Sequence, residues 1–232
     1  MVHSHDLTVD GEVPENISVD GNEIQKVTMD GELVWEWHPY IGFEADNPLQ
    51  DWYQDGETDC RVELRDGYES PNALHTENDD EYPSEFTYDL PSDKKNPIKV
   101  TWRFRTQDDW YFDYGVKLFS NKQNSYSDFV ANVIYRNSND NLVFTNSADT
   151  LNTGYDPLGE GWHKVIVKNI NYTNSAHVLL KGPNGNTIAE KSNFSLPNDA
   201  DNIENFGIYH NADGDAVTYT QSFHDQIQFK QN

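Results

Sequence analysis

Glycoside hydrolysis needs two carboxylates flanking a scissile bond, about 5–5.5 Å apart for retention and about 6.5–9.5 Å for inversion. The densest acidic string in the chain is Glu77-Asn-Asp79-Asp80-Glu81. It sits in a polar, turn-like stretch before Pro83 and reads as a solvated acidic loop rather than a catalytic pair. No G-x-S-x-G, H-E-x-x-H or P-loop string is present, so the nucleophile, zinc and phosphate chemistries that those spacings serve have no carrier. The chain reads as non-enzymatic. Its alternative as a hydrolase would rest on Glu77, Asp79 and Glu81.

A second chemistry is better represented. Pyranose rings stack on exposed aromatic faces, and guanidinium groups bind carboxylate or sulfate in bidentate fashion. Trp52-Tyr53 lies in an acidic loop, and Asp108-Asp109-Trp110-Tyr111 stands at a hairpin tip. Arg103 and Arg105 fall on the outer face of the strand leading to that tip, with Tyr135-Arg136 as a neighbouring pair. Together they suit an acidic glycan bearing uronate or sulfate. The competing reading is that sandwich tryptophans fill the core and cross-strand arginines meet Asp or Glu. Among oxygen ligands, Asn211-Ala-Asp213-Gly214-Asp215 alternates around a glycine but lacks the twelve-residue loop and closing Glu of an EF-hand. An Asx turn explains it as well. His3 and His5 form a terminal pair without further ligands, and Cys60 is the only cysteine, which excludes an internal disulfide.

The elements that must position these groups are strands. Ile98, Val100, Trp102 and Phe104 alternate with Lys99, Thr101, Arg103 and Arg105, the period-2 pattern of a half-buried strand. Phe112 to Leu118 and Phe129 to Tyr135 repeat it. Further runs cover 162–170, 176–181, 205–210 and 222–230. In the last, Phe223, Asp225, Ile227 and Phe229 are expected on one face. Gly182-Pro183-Asn184-Gly185-Asn186 is a turn cluster. Ten or more such strands predict an all-β fold, an antiparallel β-sandwich of jelly-roll type. Residues 1–40 add two Asp-Gly hairpin signals, Asp20-Gly21 and Asp30-Gly31. A small ribbon of this kind is marginal alone, so we divide the chain into an N-terminal hairpin ribbon, 1–40, and a sandwich, 41–232.

Charge narrows the partners. The 232 residues carry 40 Asp+Glu against 16 Lys+Arg, a net charge of −24. The bias is regional: nine acids and one base in 1–40 (−8), sixteen and two in 41–93 (−14), fifteen and thirteen in 94–232 (−2). Nucleic acid and anionic membrane are disfavoured by repulsion, and no run of 18 apolar residues predicts insertion into a bilayer. An Asp-rich, Lys-poor surface also suits high salt, where repulsion is screened within about 3 Å at 1 M. The N-terminus has neither the basic nor the apolar region of a secretory signal.

Residues 41–232 resemble the concanavalin A-like lectin/glucanase superfamily, in particular its laminin G-like jelly rolls. The resemblance rests on Ile41-Gly-Phe43-Glu44-Ala-Asp46 with Leu49-Gln-Asp-Trp52, on Tyr68-Glu-Ser70-Pro-Asn-Ala73-Leu74-His75, on Gly161-Trp162-His163-Lys164-Val165 into Gly185-Asn-Thr-Ile188-Ala189, and on Phe206-Gly-Ile208-Tyr209 with Phe223-His-Asp225-Gln-Ile227. The family's glucanase branch carries E-x-D-x-x-E on one strand, which this chain lacks. The resemblance implies a structural calcium with Glu44 and Asp225 as ligands; Asp213 and Asp215 are a second candidate pair on their own alternation around Gly214. Without a metal, Asp225 would cap backbone N–H groups or meet Lys or Arg.

Ile17-Ser-Val-Asp-Gly-Asn-Glu-Ile-Gln-Lys-Val-Thr-Met-Asp-Gly-Glu-Leu-Val-Trp35 resembles a segment of structural proteins of tailed viruses, including those of halophilic archaea. That resemblance implies a virion surface protein on head or tail, assembled in the host cytoplasm. Residues 1–40 would attach it to other virion proteins as a homo-oligomer, trimer or pentamer, and the sandwich would bind a host-surface glycan or glycoprotein. A purely structural decoration protein and a cellular carbohydrate-binding or adhesion module are the alternatives.

Overall fold

The computed structural model of the chain describes residues 17–19, 22–24, 26–29, 32–36, 43, 49, 51–55, 61–65, 67, 73–78, 84–92, 95–106, 114–119, 129–136, 141–159, 161–197, 202–210 and 220–231. For the strands within 17–36, 61–65 and 129–136 (Val133 excepted), the description is of backbone pairing. The chain divides into two units, Met1–Tyr40 and Ile41–Asn232. Every element among the described residues is a strand, and all pairs are antiparallel.

The first unit holds two hairpins. β1 (Ile17–Val19) pairs with β2 (Asn22–Ile24), Val19 opposite Asn22. β3 (Lys26–Met29) pairs with β4 (Glu32–Glu36), Met29 opposite Glu32. Asp-Gly dipeptides between short alternating segments are a strong hairpin signal, which is why the hairpins were legible as sequence.

The second unit is a sandwich of two seven-stranded sheets. Its strands are β5 (Trp52–Asp55), β6 (Arg61–Arg65), β7 (Ala73–Asn78), β8 (Ser84–Asp89), β9 (Lys99–Thr106), β10 (Tyr114–Phe119), β11 (Phe129–Arg136), β12 (Asn141–Thr145), β13 (Thr150–Asn152), β14 (His163–Asn171), β15 (Ser175–Lys181), β16 (Thr187–Ser195), β17 (Asn205–His210) and β18 (Thr220–Lys230). The first sheet runs β13-β12-β11-β10-β17-β8-β5 and the second β16-β15-β14-β9-β18-β7-β6. Alternation places Val116, Leu118, Phe144, Phe206 and Ile208 of the first sheet in one core with Val100, Trp102, Val165, Val178 and Leu180 of the second. Phe206 joins the layers: Trp102 and Phe229 each meet its ring edge-to-face, at 5.6 and 6.1 Å.

One strand departs from simple alternation. The pairing of β18 with β9 shifts between Asp225 and Gln228, where Gln226 adopts φ 48°. A bulge inserts one residue and reverses which side chains face inward. Ser222 and His224 therefore line the interior together with Trp102, Phe104 and Val116. Ile227 and Phe229 then resume the core. Phe223 and Asp225 point out of the sandwich, which corrects the expectation that they share a face with Ile227 and Phe229.

The two sheets are clasped at one edge. Asp149, in the turn between β12 and β13, accepts the Lys191 ammonium at 2.7 Å and the Ser195 N–H at 2.9 Å, both from β16. Asn146 Nδ2 donates to the Ser195 carbonyl at 2.9 Å. Burial pushes the Asp149 carboxyl up, but Lys191 and the two backbone N–H groups outweigh it and hold its pKa below the ordinary value.

Candidate functional site

The outward face of the second sheet collects the groups with recognition chemistry. Register brings His75, Phe223 and Arg105 into one row across β7, β18 and β9. The next row is Asp225, Arg103 and Lys164 across β18, β9 and β14. The Arg105 guanidinium stands 4.1 Å over the Phe223 ring and 5.5 Å from the Trp162 ring, a double cation–π arrangement. Below it His75 lies 4.5 Å from Phe223, and both are fully buried. Arg103 Nε donates to Gln226 Oε1 at 2.7 Å. The bulge that turns Phe223 and Asp225 outward thus also supplies the amide that orients Arg103. The result is a pair of half-buried guanidinium groups fixed by neighbours, beside an indole.

Asp225 is 2 % exposed and its Oδ1 accepts the Gln226 N–H at 2.7 Å. Calcium takes six to eight oxygens. Here the described surroundings offer one carboxylate, already accepting a backbone N–H, with Arg103 as its strand neighbour, and these do not fit a calcium cage. Among the described residues no three His, Cys, Asp or Glu approach closely enough to hold a metal. Glu44, Asp213 and Asp215 lie outside the described residues.

The other expected ligand residues are not gathered here. Trp52 is in the core, 7 % exposed, its indole stacked 5.0 Å from Phe86 at an interplanar angle of 8° and flanked by Phe43 and Tyr88. This corrects its reading as an exposed loop aromatic. Tyr53 is half-buried on β5 of the first sheet, opposite Thr87. Tyr135 and Arg136 occupy β11, also in the first sheet, so they do not neighbour Arg103 and Arg105. Trp110 and Tyr111 lie outside the described residues, as do Asp79 and Glu81; Glu77 is a β7 backbone position. Sequence reasoning missed Trp162, His75, Phe223 and Gln226. Only the bulge could have announced Phe223 and Gln226, and a bulge at Gln226 has no glycine to mark it.

The outward face of the first sheet carries a closed polar cluster. Glu85 accepts the Lys117 ammonium at 2.8 Å and the Thr87 hydroxyl at 3.1 Å. Lys117 also lies 4.4 Å from the Tyr209 ring centroid. Gly207 lies against this cluster: a Cβ there would come 2.7 Å from Glu85 Oε1 and 3.0 Å from the Phe119 ring.

No family model matches the chain, and no curated protein matches it. Solved structures do. The Bacillus licheniformis β-glucanase superposes with a TM-score of 0.54 at 8% identity, covering 84% of this chain and 98% of that one. The cellulose-induced protein Cip1 gives 0.52 at 13% identity, covering 79% and 93%. A botulinum neurotoxin type C chain, from a toxin that interacts with two ganglioside molecules, gives 0.50 at 15% identity over 78% of this chain. The match spans 43% of the toxin chain. The sandwich has the fold of these proteins: a concanavalin A-like jelly roll.

Proposed function

We propose that the sandwich is a non-catalytic attachment module that binds an acidic glycan on the outward face of its second sheet. The observation that carries this reading is the Arg103–Arg105–Trp162 cluster, in which two oriented guanidinium groups and an indole stand together. Guanidinium forks suit carboxylate and sulfate, and an indole face suits a pyranose ring. The likeness to a glucanase is one of fold, and fold does not carry chemistry with it. In the wider reading this module sits on a virion and its hairpin unit attaches it to other virion proteins. There, a homo-oligomer of trimeric or pentameric symmetry would raise a weak single-site affinity by avidity.

A glycan array with the full chain, wild type against Arg103→Ala and Arg105→Ala, tests the module. Acidic glycans should bind the wild type, and each variant should weaken them by about tenfold, the equivalent of about 1.4 kcal/mol. An array silent for the wild type, or one that both variants leave unchanged, refutes the reading and favours a structural decoration protein.

A further inference from the structure

The cations on this face extend well beyond the two arginines. Strands β15, β14, β9 and β18 are adjacent in the second sheet and together contain a single acidic residue, the buried Asp225. Their outward positions hold Lys99, Arg103 and Arg105 on β9, Lys164 and Lys168 on β14, Lys181 on β15 and Lys230 on β18. Seven of the chain's 16 basic residues therefore share one face of a protein whose net charge is −24.

Register sorts them into two rows. Lys181, Lys164 and Arg103 are direct neighbours across three strands. Lys168, Lys99 and Lys230 form the second row. Within a row, adjacent strands lie about 4.8 Å apart, and the four-residue offset between rows amounts to about 13 Å. The strip between them is Leu179, Ile166 and Thr101, of which Leu179 and Thr101 are buried although they face away from the core. Lys168, Lys181 and Lys230 make no ion pair with any described residue.

We infer that this face is a two-row site for a linear acidic glycan whose anionic groups, about 13 Å apart, engage both rows. The inference rests on the glycan reading above and names its ligand as an extended polymer. Duplex nucleic acid fits less well. It carries a charge every ~1.7 Å, a spacing that two rows about 13 Å apart do not match. A second copy of this chain would bring its own −24 with it.

The test uses the full chain and sized heparin fragments, a sulfated and uronate-bearing probe, one short enough for a single row and one long enough for both. The wild type should bind the long fragment at least about tenfold tighter than the short one. Lys99→Gln with Lys168→Gln should remove that advantage. Such surface substitutions change stability by about 0.5 kcal/mol or less, so folding is not the confounder. Short-fragment binding that needs Arg103 but shows no gain with length overturns the two-row site alone. Absence of all fragment binding overturns the glycan reading as well. Concentration-dependent self-association that the double variant abolishes, without fragment binding, assigns the face to a second copy instead.

Discussion

At the scale of single residues, His163 shows what burial does to a titratable group. It is fully buried, stacked 5.2 Å from Phe104, with Nε2 2.8 Å from the Tyr155 hydroxyl. Burial disfavours the imidazolium and holds the pKa down to about 4, against 6.5 unfolded. Between those values the unfolded chain takes up a proton that the folded chain refuses. Stability from this residue is thus complete above pH 6.5 and falls as pH falls toward 4, by about 3 kcal/mol over the window. The chain's acids add their own pH dependence, so the informative quantity is a difference. The gap in melting temperature between wild type and His163→Phe should narrow by several degrees from pH 7 to pH 4.5; a gap independent of pH would place the proton on His163 in the folded state. None of this was legible in the sequence. His163 opens a strand whose alternation was clear, but its inward phase follows from pairing with Phe104 on β9. Arg103 and Arg105 were legible for the opposite reason: their strand alternates without interruption, so its outer face could be read directly. Trp52 was misread because local acidity says nothing of the aromatic pocket that Phe43, Phe86 and Tyr88 assemble around it.

At the scale of elements, the alternation rule located seven of the sandwich's fourteen strands, β9, β10, β11, β14, β15, β17 and β18, and failed where a strand breaks phase. β18 contains both outcomes: Ile227 and Phe229 face the core as alternation requires, while the bulge turns Phe223 and Asp225 to the other side. Nothing in Asp225-Gln226-Ile227 marks the shift, because the residue that takes the positive φ is a glutamine. Sheet pairing likewise separates residues that sequence order suggested were close. β9 and β11 are near in the chain but belong to different sheets, and that parts Arg103 from Arg136. The packing of β17 against β8 and β10 yields a sharper prediction. Gly207 sits between Thr87 and Lys117 in register, beneath a Glu85 that its ion pair holds in place. The methyl of Gly207→Ala would displace that carboxylate or the Phe119 ring. Overpacking of this kind costs about 1–3 kcal/mol, read as a lower urea midpoint at unchanged slope. Restoration by a Glu85→Ala background would tie the cost to this contact; an equal loss in both backgrounds would place it in the backbone.

At the scale of the whole molecule, the distribution of charge carries more information than its sum. The net −24 suggests an acidic exterior, yet it conceals a face on which basic residues outnumber acidic ones. Composition cannot show this, because segregation depends on the register that gathers Lys99, Lys164, Lys168 and Lys181 from three strands. Two consequences of salt then oppose each other. Added salt screens the self-repulsion of the acidic regions, in which residues 1–93 alone hold 25 acids against three bases, and this stabilises the fold. It also screens the cationic face, where attraction to an anionic ligand weakens as the Debye length shrinks from ~10 Å at 0.1 M to ~3 Å at 1 M. The melting temperature should therefore rise across that range while long-fragment affinity falls. The fall should be smaller for contacts made by Arg103 and Arg105, since bidentate hydrogen bonds and stacking act at contact distance. A melting temperature that is flat or falling with salt would mean that ion pairs, such as Asp149–Lys191 at the sheet edge, outweigh the repulsion. Comparing sodium chloride with sodium sulfate at equal ionic strength separates screening from the stronger apolar burial that sulfate favours: a screening effect is the same in both.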